Sequence, residues 1–418
     1  MAQRNPKQNR RRRGPERQRY ISPRLKVGVA LAAVLVVVIG LAALSLVKGW
    51  IRLPSFGNSE KADPNETAAT LPPEDTVIHF IAGGDLNVTD KVVASGLGEG
   101  GYDYTDVFMD VLPVLAGADV TALNFEGNLA GAPYGTDECS APQELMEALR
   151  GCGVDILQTA NSKSTTNGLL GLGTTIDGIR SAGMENLGTY KNSDMYEKYQ
   201  GFLIREVNGV RIAFVAFTKG MEGRGLPEGG ENCVNLLYKD YSSSYQTVDT
   251  EGITAVLKAA EAMNPDITIA MVHWGGEFND LISSTQTKIV KLMAQQGVDA
   301  VIGTHSHFVQ KMGFDEETGI FVAYSLGDFL GDVDRSGTEY SVLLDLEITK
   351  DGTTGQTKIT GFDYTPIYCY EDEDGNLRLL RIRQAMAAYE NSALGRVDSQ
   401  TYENMKYALN RIKSRVEG

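Results

Sequence analysis

The sequence predicts an α/β domain carried behind a long uncharged apolar segment. Three observations predict it. Seven short apolar runs each end in polar or glycine-rich residues, helix-like stretches lie between several of them, and the stretch from Val27 to Val47 holds no charge. Short continuous apolar runs suit strands buried on both faces, and strands alternating with helices imply an α/β arrangement.

The first element is a basic arm, residues 1–26. The 418-residue chain has 39 Lys+Arg against 54 Asp+Glu, a net charge of −15. Residues 1–48 hold 11 of the basic groups and 1 of the acidic ones, so the arm carries about +10 and the rest of the chain about −25. A nucleic-acid protein needs a basic footprint, and an acidic body with a basic tail beside an apolar segment does not supply one. No nucleic-acid partner is expected. The arm is Arg-rich, broken by Pro and poor in apolar residues, a composition that does not form a core.

The second element, residues 27–47, is long enough at 1.5 Å per residue to cross a bilayer core of roughly 30 Å. A cleaved signal peptide would have an apolar region of about 7–15 residues and a small-residue cleavage site. An uncleaved single-pass anchor in the lipid bilayer of the cell membrane is therefore the favoured reading. The preceding basic residues place the N-terminus in the cytoplasm and everything after Lys48 outside. Trp50 sits where an interfacial anchor would, and residues 48–75, rich in Pro, Ser, Asn and Thr, read as a linker.

The main domain is expected over residues 76–370. Its apolar runs lead in turn to Asp85, Glu126, Asn161, Thr218, His273, His305 and Asp328. Helical patterns fall at 141–153, 253–264 and 283–297. Residues 363–383 read as a hairpin across a DG/GN turn. Residues 371–418, the hairpin end and a polar helical tail, show no chemistry. Cys139, Cys152, Cys233 and Cys369 have no metal-ligand spacing; outside the membrane they allow three disulfide pairings, with isolated buried thiols as the alternative.

In open α/β sheets ligands bind beyond the carboxyl ends of strands. Three of the four histidines, His273, His305 and His307, fall at such ends, while His79 lies inside the first strand pattern as a structural residue. In an extended GTHSH segment, His305 and His307 would face one side. Asp85 and Asn87 share the same i, i+2 spacing, Glu126 ends the second run, and Glu277 follows His273 closely. Imidazoles and carboxylates converging on one edge suit one or two divalent ions of unknown identity, which would activate water and clamp a phosphate or carbonyl oxygen.

Several of these motifs together resemble the CapA family of capsule and poly-γ-glutamate biosynthesis proteins, which are related to calcineurin-like metallophosphoesterases. The matching residues are Gly84-Asp85, Asn124-Phe125-Glu126-Gly127, Ala160-Asn161, His273-Trp274-Gly275 with Glu277, Gly303-Thr304-His305-Ser306-His307 with Val309-Gln310, and Tyr324-Ser325-Leu326-Gly327 before Asp328-Phe329. They run in family order over about residues 76–335. The resemblance implies a metallophosphoesterase-like α/β/β/α sandwich and a metal edge drawn from Asp85, Asn87, Glu126, Asn161, His273, His305 and His307. Glu126 would be the bridging carboxylate. It also implies a surface protein working with an anionic polymer and with polymer-synthesis membrane proteins.

One stretch departs from the family pattern Ala-Asn-Asn-His followed by Asp. Ser162 stands for the second Asn, Lys163 for the His and Thr166 for the Asp. A protonated lysine binds anions but does not ligate a metal. With Lys163, His273 and Glu277 as candidate catalytic groups, three functions are open. The chain supports assembly, export or attachment of an anionic polymer such as poly-γ-glutamate; or it is a metal-dependent phosphoester or amide hydrolase; or it is a binding scaffold with a degraded site. Lys163, Lys219 and Arg224 are candidates for a basic entrance through the acidic surface.

Overall fold

The computed structural model describes residues 73–392 and 397–417. The basic arm, the 27–47 segment, Trp50 and most of the linker lie outside the described residues. Among the described residues, no helix is long and apolar enough to cross a membrane.

Apart from a short ribbon at 97–102, fourteen strands follow one another along the described chain. They are β1 (Thr76–Asn87), β2 (Val120–Glu126), β3 (Ile156–Gln158), β4 (Glu185–Leu187), β5 (Phe202–Val207), β6 (Val210–Thr218) and β7 (Ile267–His273). Then come β8 (Ala300–Thr304), β9 (Met312–Phe314), β10 (Phe321–Ala323), β11 (Asp328–Leu330), β12 (Tyr340–Lys350), β13 (Thr357–Glu371) and β14 (Leu377–Arg381). One sheet has the order β14-β13-β12-β1-β2-β3-β4, with β11 pairing β1, and the other has the order β9-β10-β8-β7-β6-β5.

Both sheets are mixed. Strands β1 to β4 run parallel, as do β6, β7, β8 and β10. Antiparallel strands flank them: β12, β13 and β14 on one sheet, β5 and β9 on the other. Parallel neighbours need crossovers, and the helices that supply them cover the outer faces.

Alternation along each strand divides the apolar residues between two layers. Ile78, Phe80 and Ala82 of β1 face Phe214, Ile269 and Ile302 of the other sheet in the central core, with Phe80 and Phe214 ring centroids 5.4 Å apart. Ile81 and Leu123 instead pack outward on Leu145, Met146 and Leu149 of the helix Gln143–Gly151. On the far side, Ala270 and Val272 meet Ile253 and Leu257 of the helix Thr250–Glu261 and Ile289 and Met293 of the helix Ser284–Gln295. That last helix starts in a capping box between Ser283 and Gln286, which satisfies donors its first turn leaves open. The layers are therefore helix, sheet, sheet, helix.

The C-terminal residues are part of this body. The hairpin turns between Glu371 and Leu377, and a helix begins at Ile382. Met405, Ala408, Ile412 and Val416 of the final helix, Ser399–Glu417, join the central core. Arg415 of that helix lies over the Phe308 ring and pairs with Asp280 at 3.4 Å. All four cysteines are buried and free. Burial pushes the Cys233 and Cys369 thiols up to about 12.

Candidate metal centre at the joined sheet edges

Strand register places the polar residues. Asp85 lies opposite Asn124 on β2 and Asp328 on β11, and Asn87 lies opposite Glu126. In the other sheet His273 lies opposite Thr218 and Thr304. Gly84 makes the first junction possible: a Cβ there would sit 1.7 Å from the Gly327 carbonyl oxygen. With only hydrogen at that position, the Asp85 N–H donates to Gly327 O at 3.0 Å.

The two sheets meet through side chains. Asp85 is fully buried; its Oδ2 accepts the His305 backbone N–H at 2.9 Å, and its Oδ1 accepts from Asn124 Nδ2 at 2.5 Å. His273 Nε2 lies 3.5 Å from Glu126 Oε1 and shares a hydrogen bond with Ser162 Oγ at 2.9 Å, while its Nδ1 reaches Thr304 Oγ1 at 3.1 Å. His307 Nδ1 lies 2.8 Å from Asp328 Oδ1, which also accepts from Asn87 Nδ2 at 3.0 Å.

The backbone at 305–307 is not the extended segment that the HxH spacing suggested. Strand β8 stops at Thr304, and His305 and His307 adopt φ of 89° and 61°. Side chains rarely occupy this left-handed region. The Asp85 carboxylate captures the His305 N–H and so turns the chain. The rings are 6.3 Å apart and belong to different clusters.

Two sets of ligand atoms result, each within 4.8 Å: Glu126, His273 and His305 in one, Asp85, His307 and Asp328 in the other. Burial and the Glu126 charge push Asp85 up to about 6, and burial also raises Asp328. Burial disfavours the charged form of Glu126, but His273 beside it prevails and holds it below the usual carboxylate range. Burial disfavours the His307 imidazolium too, yet the Asp328 carboxylate wins and pushes it up to about 10. His305 is held well below its ordinary value, first by burial and then by its neighbour His273. Glu126 Oε2 and His305 Nδ1 are buried without a hydrogen-bond partner. Mixed imidazole and carboxylate donors with an unpartnered carboxylate oxygen are compatible with a divalent metal ion.

A family model described as bacterial capsule synthesis protein, PGA_cap, matches residues 79–333, more than half of the chain. The chain belongs to this family. Every residue of the two ligand sets falls inside the matched stretch. Among curated relatives of the capsule synthesis family, the capsule biosynthesis protein CapA of Bacillus anthracis is 27% identical over 266 residues, covering 60% of this chain and 60% of that protein. The PGA biosynthesis protein CapA of Bacillus subtilis is 26% identical over 266 residues, covering 62% and 64%. The chain thus spans somewhat under two thirds of the length of both relatives. Two solved structures overlap it more loosely. The calcineurin-like phosphoesterase YfkN from Bacillus subtilis has 15% identity and a TM-score of 0.42, covering 80% of this chain and 100% of that one. A phosphatase from Mycoplasma pneumoniae has 13% identity and a TM-score of 0.42, covering 71% and 95%.

The remaining residues singled out in the sequence surround the two ligand sets. Asn161 donates both amide hydrogens, to Asn124 Oδ1 at 3.1 Å and Phe125 O at 2.6 Å, and its Oδ1 accepts from Lys163 N at 3.0 Å. Its amide therefore braces the edge. Asn87 steadies Asp328. The Lys163 ammonium pairs with Glu222, which also holds Arg224 at 3.3 Å. Glu277 lines a cavity of about 250 Å³ with Ser162, Lys219, Gly220, Glu222, Tyr245 and His305. Lys219, just past β6, donates to Gly275 O at 2.8 Å and contacts His305 Nε2 at 3.3 Å, and burial lowers its pKa from lysine's ordinary value. Asn124 and Thr304, which orient Asp85 and His273, entered the sequence reading only as members of the family motifs; Asn124 stands two residues before Glu126 and Thr304 directly before His305.

Proposed function

We propose that this chain is a membrane-anchored, extracytoplasmic member of the capsule synthesis family that supports biosynthesis, export or attachment of a cell-surface anionic polymer such as poly-γ-glutamate. The observation that carries the reading is the family match over residues 79–333, which encloses the convergent site. The names of the two CapA relatives support the polymer assignment. The uncharged 27–47 segment behind a basic arm supports the anchor and its direction.

A divalent ion at the site would polarise a phosphoryl or carbonyl oxygen and lower the pKa of bound water. Asp85, His307 and Asp328 are one set of residues that would hold it, and Glu126, His273 and His305 the other. Thr304 and Asn124 orient His273, and Asn161 braces Asn124. The acidic body repels a polyanion in bulk, so approach needs local positive charge. Lys163 and Arg224 share the single Glu222 carboxylate, and Lys219, with no carboxylate within 4.0 Å among the described residues, is a further cation at the cavity. The test is genetic. Deleting the gene in its host should remove the surface polymer, and complementation with His79→Gln should restore it while Asp85→Ala should not. Unchanged polymer in the deletion strain refutes the proposal.

Two ligand sets at one edge, with Glu126 Oε2 unpartnered, favour metal-dependent hydrolysis as the second reading. Hydrolysis of phosphodiesters or γ-glutamyl amides by the purified chain, abolished in His307→Ala, would establish it.

A further inference from the structure

We infer that the edge holds one divalent ion, at Asp85, His307 and Asp328, and that the Lys219 ammonium, seated on His305, keeps a second ion from the set of Glu126, His273 and His305. This rests on reading the edge as a metal centre. The argument begins with the histidine lone pairs. A neutral imidazole has one, and a metal needs it. An ammonium has donors only. Lys219 Nζ, 3.3 Å from His305 Nε2, therefore consumes the lone pair of His305 and places the ring proton on Nδ1. That Nδ1 is buried and has no partner, so nothing draws its proton away. Neither nitrogen of His305 remains a ligand while Lys219 stays in place.

His307 has the opposite arrangement. Its Nδ1 faces Asp328 Oδ1 at 2.8 Å, a carboxylate that accepts the ring Nδ1–H, so the proton a metal would displace is the one on Nε2. Charge points the same way. Asp85 and Asp328 together balance a dication, whereas the second set has the single carboxylate of Glu126, with the Lys219 ammonium already on His305. A dication added to the second set would leave a net charge of about +2 beside buried groups. Lys219 is fixed there by Gly275 O at 2.8 Å and by the Tyr245 ring, whose centroid lies 4.7 Å from Nζ. Ser162 extends the difference: its short hydroxyl is engaged by His273 Nε2 at 2.9 Å.

The full-length chain in detergent micelles, stripped with chelator, is titrated with Mn²⁺ and read by metal analysis and electron paramagnetic resonance. The wild type should bind one equivalent and show the hyperfine pattern of an isolated ion. Lys219→Met should take up a second equivalent, at least tenfold tighter than any second binding in the wild type, with an exchange-coupled signal. Lys219→Arg, which keeps the charge, should remain at one and also reports whether the position tolerates change. Two tight equivalents in the wild type, or one in Lys219→Met, overturn the Lys219 assignment and leave the metal centre standing. No bound metal in the wild type overturns the metal-centre reading itself.

Discussion

The Asp85 carboxylate accepts the backbone N–H of His305, 220 residues away in sequence, at 2.9 Å. This one contact ties the end of β1 to the turn after β8 and so joins the two sheets at the site. Asp85→Ala leaves that N–H and Asn124 Nδ2 without their buried acceptor, and each orphaned group costs about 1–3 kcal/mol. The variant should lose stability in urea unfolding by an amount in that range or above, and lose metal binding as well. A stability equal to wild type would show that the contact does not hold the turn.

Gly84→Ala should be among the most damaging small substitutions in the chain. The new methyl would lie 1.7 Å from Gly327 O, which is backbone and has no rotamer to move away. Forcing extra volume into a packed position costs typically about 1–3 kcal/mol. Gly100→Ala, where a Cβ meets nothing within 4 Å, is the matched control and should be near neutral. Equal thermal midpoints for the two variants would contradict the close approach of β1 to Gly327.

His79 predicts a small pH dependence with a defined sign. Its hydrogen bond to Asp345 raises its pKa above 6.5 in the folded chain. The stabilisation is therefore fully present below the unfolded value and is lost as pH rises through the raised folded value. The side chain is 48% exposed, so screening limits the effect to about 0–1 kcal/mol. Wild type should exceed His79→Gln in stability at roughly pH 5.5 and match it near pH 9. The reverse ordering would rule out the ion pair.

Restoring the family pattern at 162–163 should strengthen metal binding. Ser162→Asn adds an oxygen donor, and Lys163→His removes a fixed cation. Removing one unit charge several Å from a dication is worth over 1 kcal/mol in a partly screened site, so metal affinity in calorimetric titration should rise about tenfold. Unchanged affinity would mean that Glu222 already cancels the effect of Lys163.

Much of the site was legible because strand ends carry polar residues for a reason. Asp85, Glu126, His273, His305 and Asp328 each follow or close an apolar run, and parallel strands bring such ends to one edge. The spacing at 305–307 misled because period-two reasoning assumes extended backbone, whereas a carboxylate from another sheet turned the chain there. The C-terminal helix looked idle because its polar surface dominates the composition; Met405, Ala408 and Ile412, at i, i+3 and i+7, are its apolar face.

The basic arm, the uncharged 27–47 segment and the acidic body are sums over local composition, and the sequence alone determines them. It also determines which residue types stand at the strand ends. Tertiary structure decided which of those groups meet. The pairing of Lys163 with Glu222, the seating of Lys219 on His305 and the division of six ligands into two sets depend on contacts between elements far apart in the chain. Local propensity cannot encode such contacts, because they exist only once both sheets have packed face to face.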